Sequence, residues 1–338
     1  MTERATTTRA VVLRHHLSGL PRPEDFELTE APLAAPGPGE VVVEVADLSL
    51  DPYLRTALAG GHMDDDLVPL GGVVPGRSIA TVIESAEESA PVGSLVLAQT
   101  GWQERAVVAA KSLVPVSLPD GIPASAALGA FGMPGLTAYA ALERHLLPRA
   151  GETVVVSSAT GGVGSVAGQL LRAAGVRPVA IVGSAAKAED AARLGYEASV
   201  LRTDPDWLDA LSAACPDGID GYLHMGDMPT LNGVMGKLSV GARVSLCGLM
   251  DQYNDGPRTM LSAGAIMTAR AIVHGMVVYD HMDLTAAHVA RVGELFAAGE
   301  LILHEDRHLG LASAPKAFAQ MMAGANQGKV VVEVSQRG

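Results

Sequence analysis

Cysteine is scarce in this sequence: its 338 residues include two, Cys215 and Cys247. Two thiols cannot form a disulfide framework or supply the four thiolates of a structural zinc lobe. Histidines do not replace them, because only His15 and His16 are adjacent and no HExxH motif or Cys/His cluster is present. The acidic run at 64–66 is interpreted as a solvated loop rather than a metal site. We therefore expect no bound metal.

Positive charge is also in short supply. The chain has 24 Lys and Arg residues against 37 Asp and Glu residues, which gives a net charge of -13. Nucleic-acid binding depends on clustered cations, so we do not expect a nucleic-acid partner. Charged residues make up only 18% and hydrophobic residues 48%, a composition typical of a globular protein rather than a disordered one. The length favours two domains.

Long uninterrupted apolar runs are absent. The uncharged stretches 121–142 and 153–171 are long enough to span a bilayer, but the first contains Pro123 and Pro134. The second is interrupted by serines, threonines and a glycine cluster. The N-terminal residues lack the apolar core of a secretory signal peptide. We expect a protein that does not associate with membranes and lies in the cytoplasm.

The chain consists of two parts that differ in their sequence pattern. Between residues 10 and 120, short apolar segments separated by Gly and Pro turns predict strands at 10–13, 41–45, 78–85, 94–99 and 104–109. From residue 151, apolar strands alternate with Ala-rich helical stretches, which indicates βαβ units around a buried parallel sheet. The predicted strands lie at 153–157, 178–183, 220–225, 242–248, 271–280 and 329–334, and the predicted helices at 164–174, 185–194, 205–214, 228–238, 283–298 and 313–323. The predicted fold class is α/β, with a β-rich part and a doubly wound parallel sheet.

A glycine-rich turn stands between the first strand and the first helix of this second part. In SSATGGVGSVAGQLL (157–171), Ala159, Gly161 and Gly164 occupy the three glycine positions of the dinucleotide-binding fingerprint. A strand, a glycine turn and a helix in this order bring backbone N–H groups to a pyrophosphate at the helix N-terminus. We interpret the turn as a dinucleotide site, and a tight turn without a ligand is the alternative.

The acidic residue that the fingerprint places about 20 positions further on is missing. Gly183 and Ser184 stand there instead, and Lys187 and Arg202 follow. A carboxylate would repel an adenosine 2′-phosphate, whereas cations form charge-assisted hydrogen bonds with it. The sequence therefore predicts NADP(H) rather than NAD(H), and the alternative for the two cations is a solvated surface position.

Several longer segments point to a family. LDPYLR (50–55), LGAFGMPGLTAYAAL (128–142), ARVSLCGLMDQYN (242–254) and GANQGKVVVEV (324–334) resemble zinc-independent medium-chain dehydrogenases/reductases over nearly the whole chain. The resemblance is to the group of prostaglandin (leukotriene B4) reductases, plant alkenal double-bond reductases and bacterial curcumin reductases. It implies a GroES-like catalytic domain at 1–126, a Rossmann NADP-binding domain at 127–302 and a segment at 303–338 that returns to the catalytic domain. It also implies a homodimer.

The resemblance further implies NADPH-dependent reduction of the C=C bond of small α,β-unsaturated ketones or aldehydes. Tyr253 is then the catalytic residue, placed near the substrate carbonyl. The substrate-pocket residues are Tyr53, Met225, Asp227 and Tyr279. The cofactor-binding residues are Met133, Thr137, Gly161, Gly162, Val163, Gly164, Ser184, Lys187, Arg202, Cys247 and Asn326.

Two positions depart from the family pattern. Arg202 stands where the family has a tyrosine, and the stretch 224–228 reads His-Met-Gly-Asp-Met in place of Asp/Glu-Asn-Val-Gly-Gly. His224 and Asp227 are interpreted either as an acid–base pair or as packing and capping residues. The departures leave other functions open: a tailoring enoyl reductase of a secondary metabolite, a quinone reductase, or an NADPH-binding protein without catalysis. A zinc alcohol dehydrogenase is disfavoured, because it needs a thiolate in the first domain and both cysteines lie in the second.

Overall fold

The structure, a computed structural model, describes residues 6–59 and 67–335, and the acidic run at 64–66 lies outside them. The chain forms two compact units. The β-rich unit comprises the described residues of Met1–Leu128, Asp306–Asn326 and Val330–Gly338, and the parallel-sheet unit comprises Gly129–Glu305 and Gln327–Lys329. The exact domain limits expected from the sequence remain a prediction.

Antiparallel strands dominate the β-rich unit. Its first elements are β1 (Thr7–Leu13), β2 (Phe26–Pro32), β3 (Glu40–Ser49), α1 (Leu54–Leu58), β4 (Arg77–Glu84), β5 (Leu95–Gln99), β6 (Arg105–Ala109) and β7 (Val114–Pro115). β1 pairs with β2, and β3 pairs with both β4 and β6. Val41, Val43 and Val45 share one face of β3 and enter one buried cluster with residues of β4 and β6. Val42, Ala46 and Leu48 on the other face are buried as well, so β3 is a central strand of this unit. Short 3₁₀ helices lie at Pro23–Asp25, Ala110–Ser112 and Ala124–Leu128.

The second unit is built on a six-stranded parallel sheet. Its strands are β8 (Thr153–Ser157), β9 (Arg177–Val182), β10 (Ala198–Leu201), β11 (Ile219–Gly226), β12 (Leu238–Leu249) and β13 (Ile272–Gly275). Its helices are α2 (Met133–Ala140), α3 (Gly164–Ala173), α4 (Ala185–Arg193), α5 (Trp207–Ala214), α6 (Met228–Met235), α7 (Met250–Tyr253), α8 (Ala263–Ala269) and α9 (Thr285–Ala297). A π-helix at Ala141–Leu146 follows α2, and a 3₁₀ helix at Val278–Leu284 precedes α9.

The order of these strands locates the candidate site. The sheet runs β10-β9-β8-β11-β12-β13, so the chain winds outward from β8 to β10 and then returns to β11 on the other side of β8. Ligands of doubly wound sheets bind at the carboxyl ends of the strands, beside the point where the winding reverses. In this sheet that point is the carboxyl edge between β8 and β11.

The last part of the chain adds two strands to the seven-stranded sheet of the β-rich unit. A strand β14 (Glu305–Leu309), a 3₁₀ helix at Leu311–Ser313, the helix α10 (Ala314–Met322) and a strand β15 (Lys329–Glu333) follow one another. The seven-stranded sheet has the order β14-β15-β3-β4-β5-β7, with β6 added on β3. β15 lies antiparallel to β3, with Val331 opposite Ser49. The described residues from Asp306 onward, apart from Gln327–Lys329, therefore belong to the β-rich unit.

The predicted fold class, a β-rich part followed by a doubly wound parallel sheet, is confirmed. The strand predicted at 271–280 is wrong beyond Gly275. In the described sheet β13 pairs with β12, and Gly275, opposite Leu246, is the last residue of that pairing. The chain then enters the 3₁₀ helix at Val278–Leu284. In the part of the chain that the structure describes, no helix is both long and apolar enough to cross a bilayer.

Candidate functional site

The turn after β8 leaves no room for side chains where strand and helix meet. Ser158 has a φ of 50°, a left-handed conformation that is uncommon outside glycine. A Cβ on Gly164 would lie 2.5 Å from the Ser158 carbonyl oxygen and 2.7 Å from Ala159 Cα. The α3 ladder starts with Ser165, whose N–H donates to Gly161 O at 2.9 Å, so the amides of Gly162, Val163 and Gly164 belong to the unpaired first turn of the helix. The Gly161 N–H is used within the turn, where it donates to Ser158 O at 3.0 Å. The turn therefore has the shape and the donors of a pyrophosphate cradle.

The beginning of α2 lies against the same turn. A Cβ on Gly162 would meet Lys329 Cδ at 3.2 Å and Pro134 Cβ at 3.5 Å. Thr137 donates its hydroxyl to Met133 O at 2.8 Å, and Tyr279 donates its hydroxyl to the Met133 sulfur at 3.9 Å. The structure thus places Pro134, the neighbour of the predicted cofactor residue Met133, against the glycine turn, with Thr137 one helical turn further along α2 and the predicted pocket residue Tyr279 beside Met133.

The carboxyl end of β9 is polar and carries no carboxylate. Gly183 follows the strand, and Ser184 is the N-cap of α4, where its hydroxyl accepts from the Lys187 N–H at 3.3 Å. Arg202, one residue beyond β10, approaches the same place: its Nε and Nη2 lie 3.8 Å from the position of a Cβ on Gly183. The Ser184 hydroxyl and the Arg202 guanidinium therefore lie at the strand end at which the fingerprint normally has an acid, and Lys187 lies in the first turn of the helix that follows.

Asp227, predicted to line the substrate pocket, makes two contacts through its carboxylate. It is the N-cap of α6, and its Oδ1 accepts from the Thr230 N–H at 2.8 Å. Its Oδ2 accepts from Arg202 Nη1 at 3.0 Å. Arg202 and Asp227, one residue from each departure from the family pattern, therefore form an ion pair, a relation that the sequence did not reveal.

His224 is a packing residue. It is fully buried, and its Nδ1 and the Tyr222 hydroxyl hydrogen-bond at 2.7 Å. Burial lowers the pKa of His224 to about 4, so the ring is neutral near pH 7. Of the two interpretations of His224 and Asp227, the structure shows packing for the first and capping for the second.

Met225 and Tyr253 meet at the carboxyl ends of β11 and β12. The Met225 N–H donates to Ser157 Oγ at 2.8 Å, and its carbonyl accepts from Ser158 Oγ at 2.7 Å, so Met225 is fixed to the end of β8. A Cβ on Gly248 would lie 3.7 Å from Met225 Cα and 3.8 Å from the Tyr253 hydroxyl. Gly248 therefore leaves an open position between these two predicted site residues.

Tyr253 is set up as a hydrogen-bond donor. Burial raises the pKa of its phenol. A backbone hydrogen bond with Leu249 lowers this pKa, but the effect of burial is larger. The hydroxyl therefore stays protonated at neutral pH. Cys247, a predicted cofactor residue two positions before Leu249, is a free thiol whose pKa is also raised by burial.

Two predicted site residues belong to the β-rich unit. Tyr53 is the N-cap of α1, and its carbonyl accepts from the Thr56 hydroxyl at 2.6 Å. Asn326 is the last residue of the segment Asp306–Asn326.

Sequence reasoning missed several residues that shape this edge. Asp251 Oδ2 accepts from the Met228 N–H at 2.8 Å, so a second carboxylate caps the first turn of α6. Tyr196 donates its hydroxyl to Gly164 O at 2.7 Å, and its ring fills the space that a Cβ on Gly168 would need. These contacts join residues that are 23 to 32 positions apart, so no local sequence motif predicts them.

The residues present fit a phosphorylated dinucleotide. The glycine turn supplies backbone donors without obstructing side chains, and Ser184, Lys187 and Arg202 supply a donor set that suits a 2′-phosphate rather than a ribose hydroxyl. Among the described residues, no group of three or more His, Cys, Asp or Glu side chains is placed to hold a metal ion.

Comparison with known proteins agrees with this geometry. A family described as "N-terminal domain of oxidoreductase" matches residues 9–116, and one described as "Zinc-binding dehydrogenase" matches residues 162–291. The NADPH-dependent curcumin reductase of Escherichia coli (strain K12) is 33% identical, over 99% of this chain and 99% of that protein. The 2-alkenal reductase (NADP(+)-dependent) of Nicotiana tabacum is 32% identical, over 98% of each chain.

A solved structure extends the similarity to three dimensions. The crystal structure of CurA from Vibrio vulnificus in complex with NADPH superimposes with a TM-score of 0.89 at 33% identity, over 97% of this chain and 100% of that chain. Identity at this level over whole chains establishes the family. The chain belongs to the medium-chain dehydrogenases/reductases, in the group of the curcumin, alkenal and prostaglandin reductases.

Proposed function

We propose that this protein is an NADPH-dependent reductase of the C=C bond of α,β-unsaturated ketones or aldehydes. The observation that carries the proposal is the carboxyl edge of the parallel sheet. It combines a turn that excludes a Cβ at Gly164 with the Ser184 hydroxyl and the Arg202 guanidinium beside Gly183, and with Lys187 in the first turn of α4. The curcumin and alkenal reductases named above support the substrate class.

Binding of NADPH uses two parts of this edge. Gly162, Val163 and Gly164 would hold the pyrophosphate through backbone N–H groups at the start of α3, and Gly161, whose N–H donates to Ser158 O at 3.0 Å, would line the same turn. The 2′-phosphate is held by Ser184, Lys187 and Arg202. Met133, Thr137, Cys247 and, from the β-rich unit, Asn326 remain proposed cofactor contacts.

Reduction of the C=C bond adds a hydride to the β-carbon and a proton, from water or a ribose hydroxyl, to the α-carbon, and the protein must stabilise the enolate that forms between the two steps. When bound, NADPH supplies the hydride that adds to the β-carbon of the substrate. Negative charge then grows on the carbonyl oxygen, where a fixed donor stabilises the transition state more than the ground state. The Tyr253 hydroxyl, a phenol that is protonated at neutral pH and whose pKa burial raises further, is the proposed hydrogen-bond donor to that oxygen. Met225 and Tyr279, with Tyr53 of the β-rich unit, are the proposed substrate contacts.

The test is an NADPH-oxidation assay, followed at 340 nm, on matched substrates. We expect oxidation with enals and enones and none with the corresponding saturated aldehydes and ketones. Turnover of quinones alone would make the protein a quinone reductase. Tight NADPH binding without turnover of any compound would make it a non-catalytic member, and turnover limited to one elaborate enone would point to a tailoring reductase of secondary metabolism.

We also propose a cytoplasmic homodimer. β13 is the edge strand of the parallel sheet, and apolar side chains near it are exposed: Met267 (78%), Ile272 (55%) and Met282 (55%). An exposed apolar edge strand favours pairing with a second chain. Light scattering after size exclusion should give twice the chain mass of 34.7 kDa, and Ile272→Lys should shift it toward one chain mass. Cell fractionation tests the location.

A further inference from the structure

The ion pair between Arg202 and Asp227 lies at the end of the sheet where the 2′-phosphate is proposed to bind. The Arg202 N–H donates to Val182 O at 3.0 Å, which fixes its backbone level with the end of β9. Its guanidinium faces two ways. Nη1 donates to Asp227, whereas Nε and Nη2 lie 3.8 Å from the position of a Cβ on Gly183.

Asp227 is the fixed member of this pair. Its backbone is extended, with φ −91° and ψ 165°, and its Oδ1 is held by the Thr230 N–H as the N-cap of α6. Its side chain is 22% exposed, against 45% for that of Arg202. A long, half-exposed arginine loses rotamer freedom when it binds a ligand, and anchoring it beforehand reduces that loss. The carboxylate therefore orients the Arg202 side chain, and the oriented guanidinium can bind a group that lies beside Gly183.

We infer that Asp227 is a positioning residue for cofactor specificity: it holds the Nε and Nη2 edge of Arg202 toward Gly183, where that edge meets the 2′-phosphate of NADPH. The inference rests on the proposed function for the identity of the cofactor. It assigns Asp227 to the adenosine end of the site instead of the substrate pocket. NADH, which has a hydroxyl at this position, gains little from an oriented guanidinium.

The test is a double-mutant cycle on cofactor affinity. Dissociation constants of NADPH and NADH are measured by fluorescence titration for the parent, Arg202→Ala, Asp227→Ala and the double variant. We expect Arg202→Ala to weaken NADPH about tenfold, and Asp227→Ala to weaken it about three- to fivefold, with NADH unchanged in both. Because Asp227 acts through Arg202, the double variant should bind NADPH as Arg202→Ala does.

Two further variants separate positioning from loss of a helix cap. Asp227→Asn keeps an N-cap residue of equal quality and removes the charge, so it should fold like the parent and bind NADPH with an affinity between those of the parent and Asp227→Ala. Ser262→Ala removes the N-cap of α8, whose hydroxyl accepts from the Ala265 N–H at 3.3 Å. It should lower the melting temperature slightly and leave both cofactor affinities unchanged.

Tighter NADPH binding by Asp227→Asn would overturn the inference, because the carboxylate would then merely neutralise Arg202. Equal loss of NADPH and NADH affinity, additive effects in the cycle, or an unchanged NADPH constant in folded Asp227→Asn would overturn it as well. The proposed function fails separately, if the parent binds NADPH but reduces no enone.

Discussion

Substitution of Gly164 by alanine tests the closest contact in the glycine turn. The added Cβ would meet three backbone atoms, Ser158 O at 2.5 Å and Ala159 Cα and O at 2.7 Å, and none of these belongs to a flexible side chain. Carbon does not approach such atoms within 3.0 Å, so the start of α3 must move away from the end of β8. That movement also pulls Gly164 O from the Tyr196 hydroxyl, its donor at 2.7 Å.

The expected cost follows from these distances. Overpacking of this kind costs about 1–3 kcal/mol. The helix propensity of alanine over glycine returns at most about 1 kcal/mol. Gly164→Ala should therefore destabilise the protein by about 1–2 kcal/mol, which lowers the melting temperature by a few degrees, about 2–4 °C per kcal/mol for a unit of this size. NADPH binding should weaken at least about tenfold, because the displaced amides are the proposed pyrophosphate donors.

Gly264→Ala is the matched control. Gly264 lies inside α8, and a Cβ there meets nothing within 4 Å. This substitution should stabilise the protein by up to about 1 kcal/mol and leave NADPH affinity unchanged. Both variants are measured by thermal denaturation and by fluorescence titration with NADPH. If Gly164→Ala melts and binds NADPH like the parent, the turn tolerates a side chain and the cradle argument is wrong.

Three further predictions follow from the site and the core. Tyr253→Phe should lower kcat about tenfold on an accepted enone with NADPH affinity unaltered, since water or a ribose hydroxyl replaces the donor only in part; an unchanged kcat would make Tyr253 a bystander. His145 and His224 have pKa values lowered to about 4, mainly by burial. As the pH is lowered, these histidines take up protons near pH 6.5 in the unfolded chain but only near pH 4 in the folded chain. Protonation therefore favours the unfolded chain, and the melting temperature should decrease as the pH is lowered from about 6.5 to about 4. His145→Gln should flatten part of this slope, and a flat profile in the parent would contradict the assignment. Prolonged dialysis against a strong chelator should change neither activity nor melting temperature, and stoichiometric zinc in the purified protein would refute metal independence.

The sequence predicted those elements whose pattern is local. The strand β8, its glycine turn and α3 form one continuous signal, because a buried parallel strand is uniformly apolar and the turn needs glycine. The strands β2 and β14 were missed. They read FELTEAP and EDRHL, and charged residues are tolerated there because these strands have much of their surface exposed. Apolar pattern alone does not find such strands.

The site was predictable in part for the same reason. Ser184, Lys187 and the glycines lie within single strand–helix connections, which the sequence displays directly. The Arg202–Asp227 pair joins the ends of β10 and β11, 25 residues apart and on opposite sides of the β8–β9 pair in the sheet order. Only the folded sheet brings them together. The prediction that Asp227 lines the substrate pocket comes from the resemblance to the family, and the family pattern holds no information on a pair between two residues that depart from it.

The central claim, reduction of a C=C bond with hydride from NADPH, is tested most directly by isotope transfer. The protein is incubated with NADPH that carries deuterium at the transferred position of the nicotinamide and with an accepted enone, and the product is analysed by mass spectrometry and NMR. The account predicts a saturated ketone with one deuterium on the carbon β to the carbonyl. Deuterium on the carbonyl carbon of an allylic alcohol, or no deuterium in any product, would contradict it.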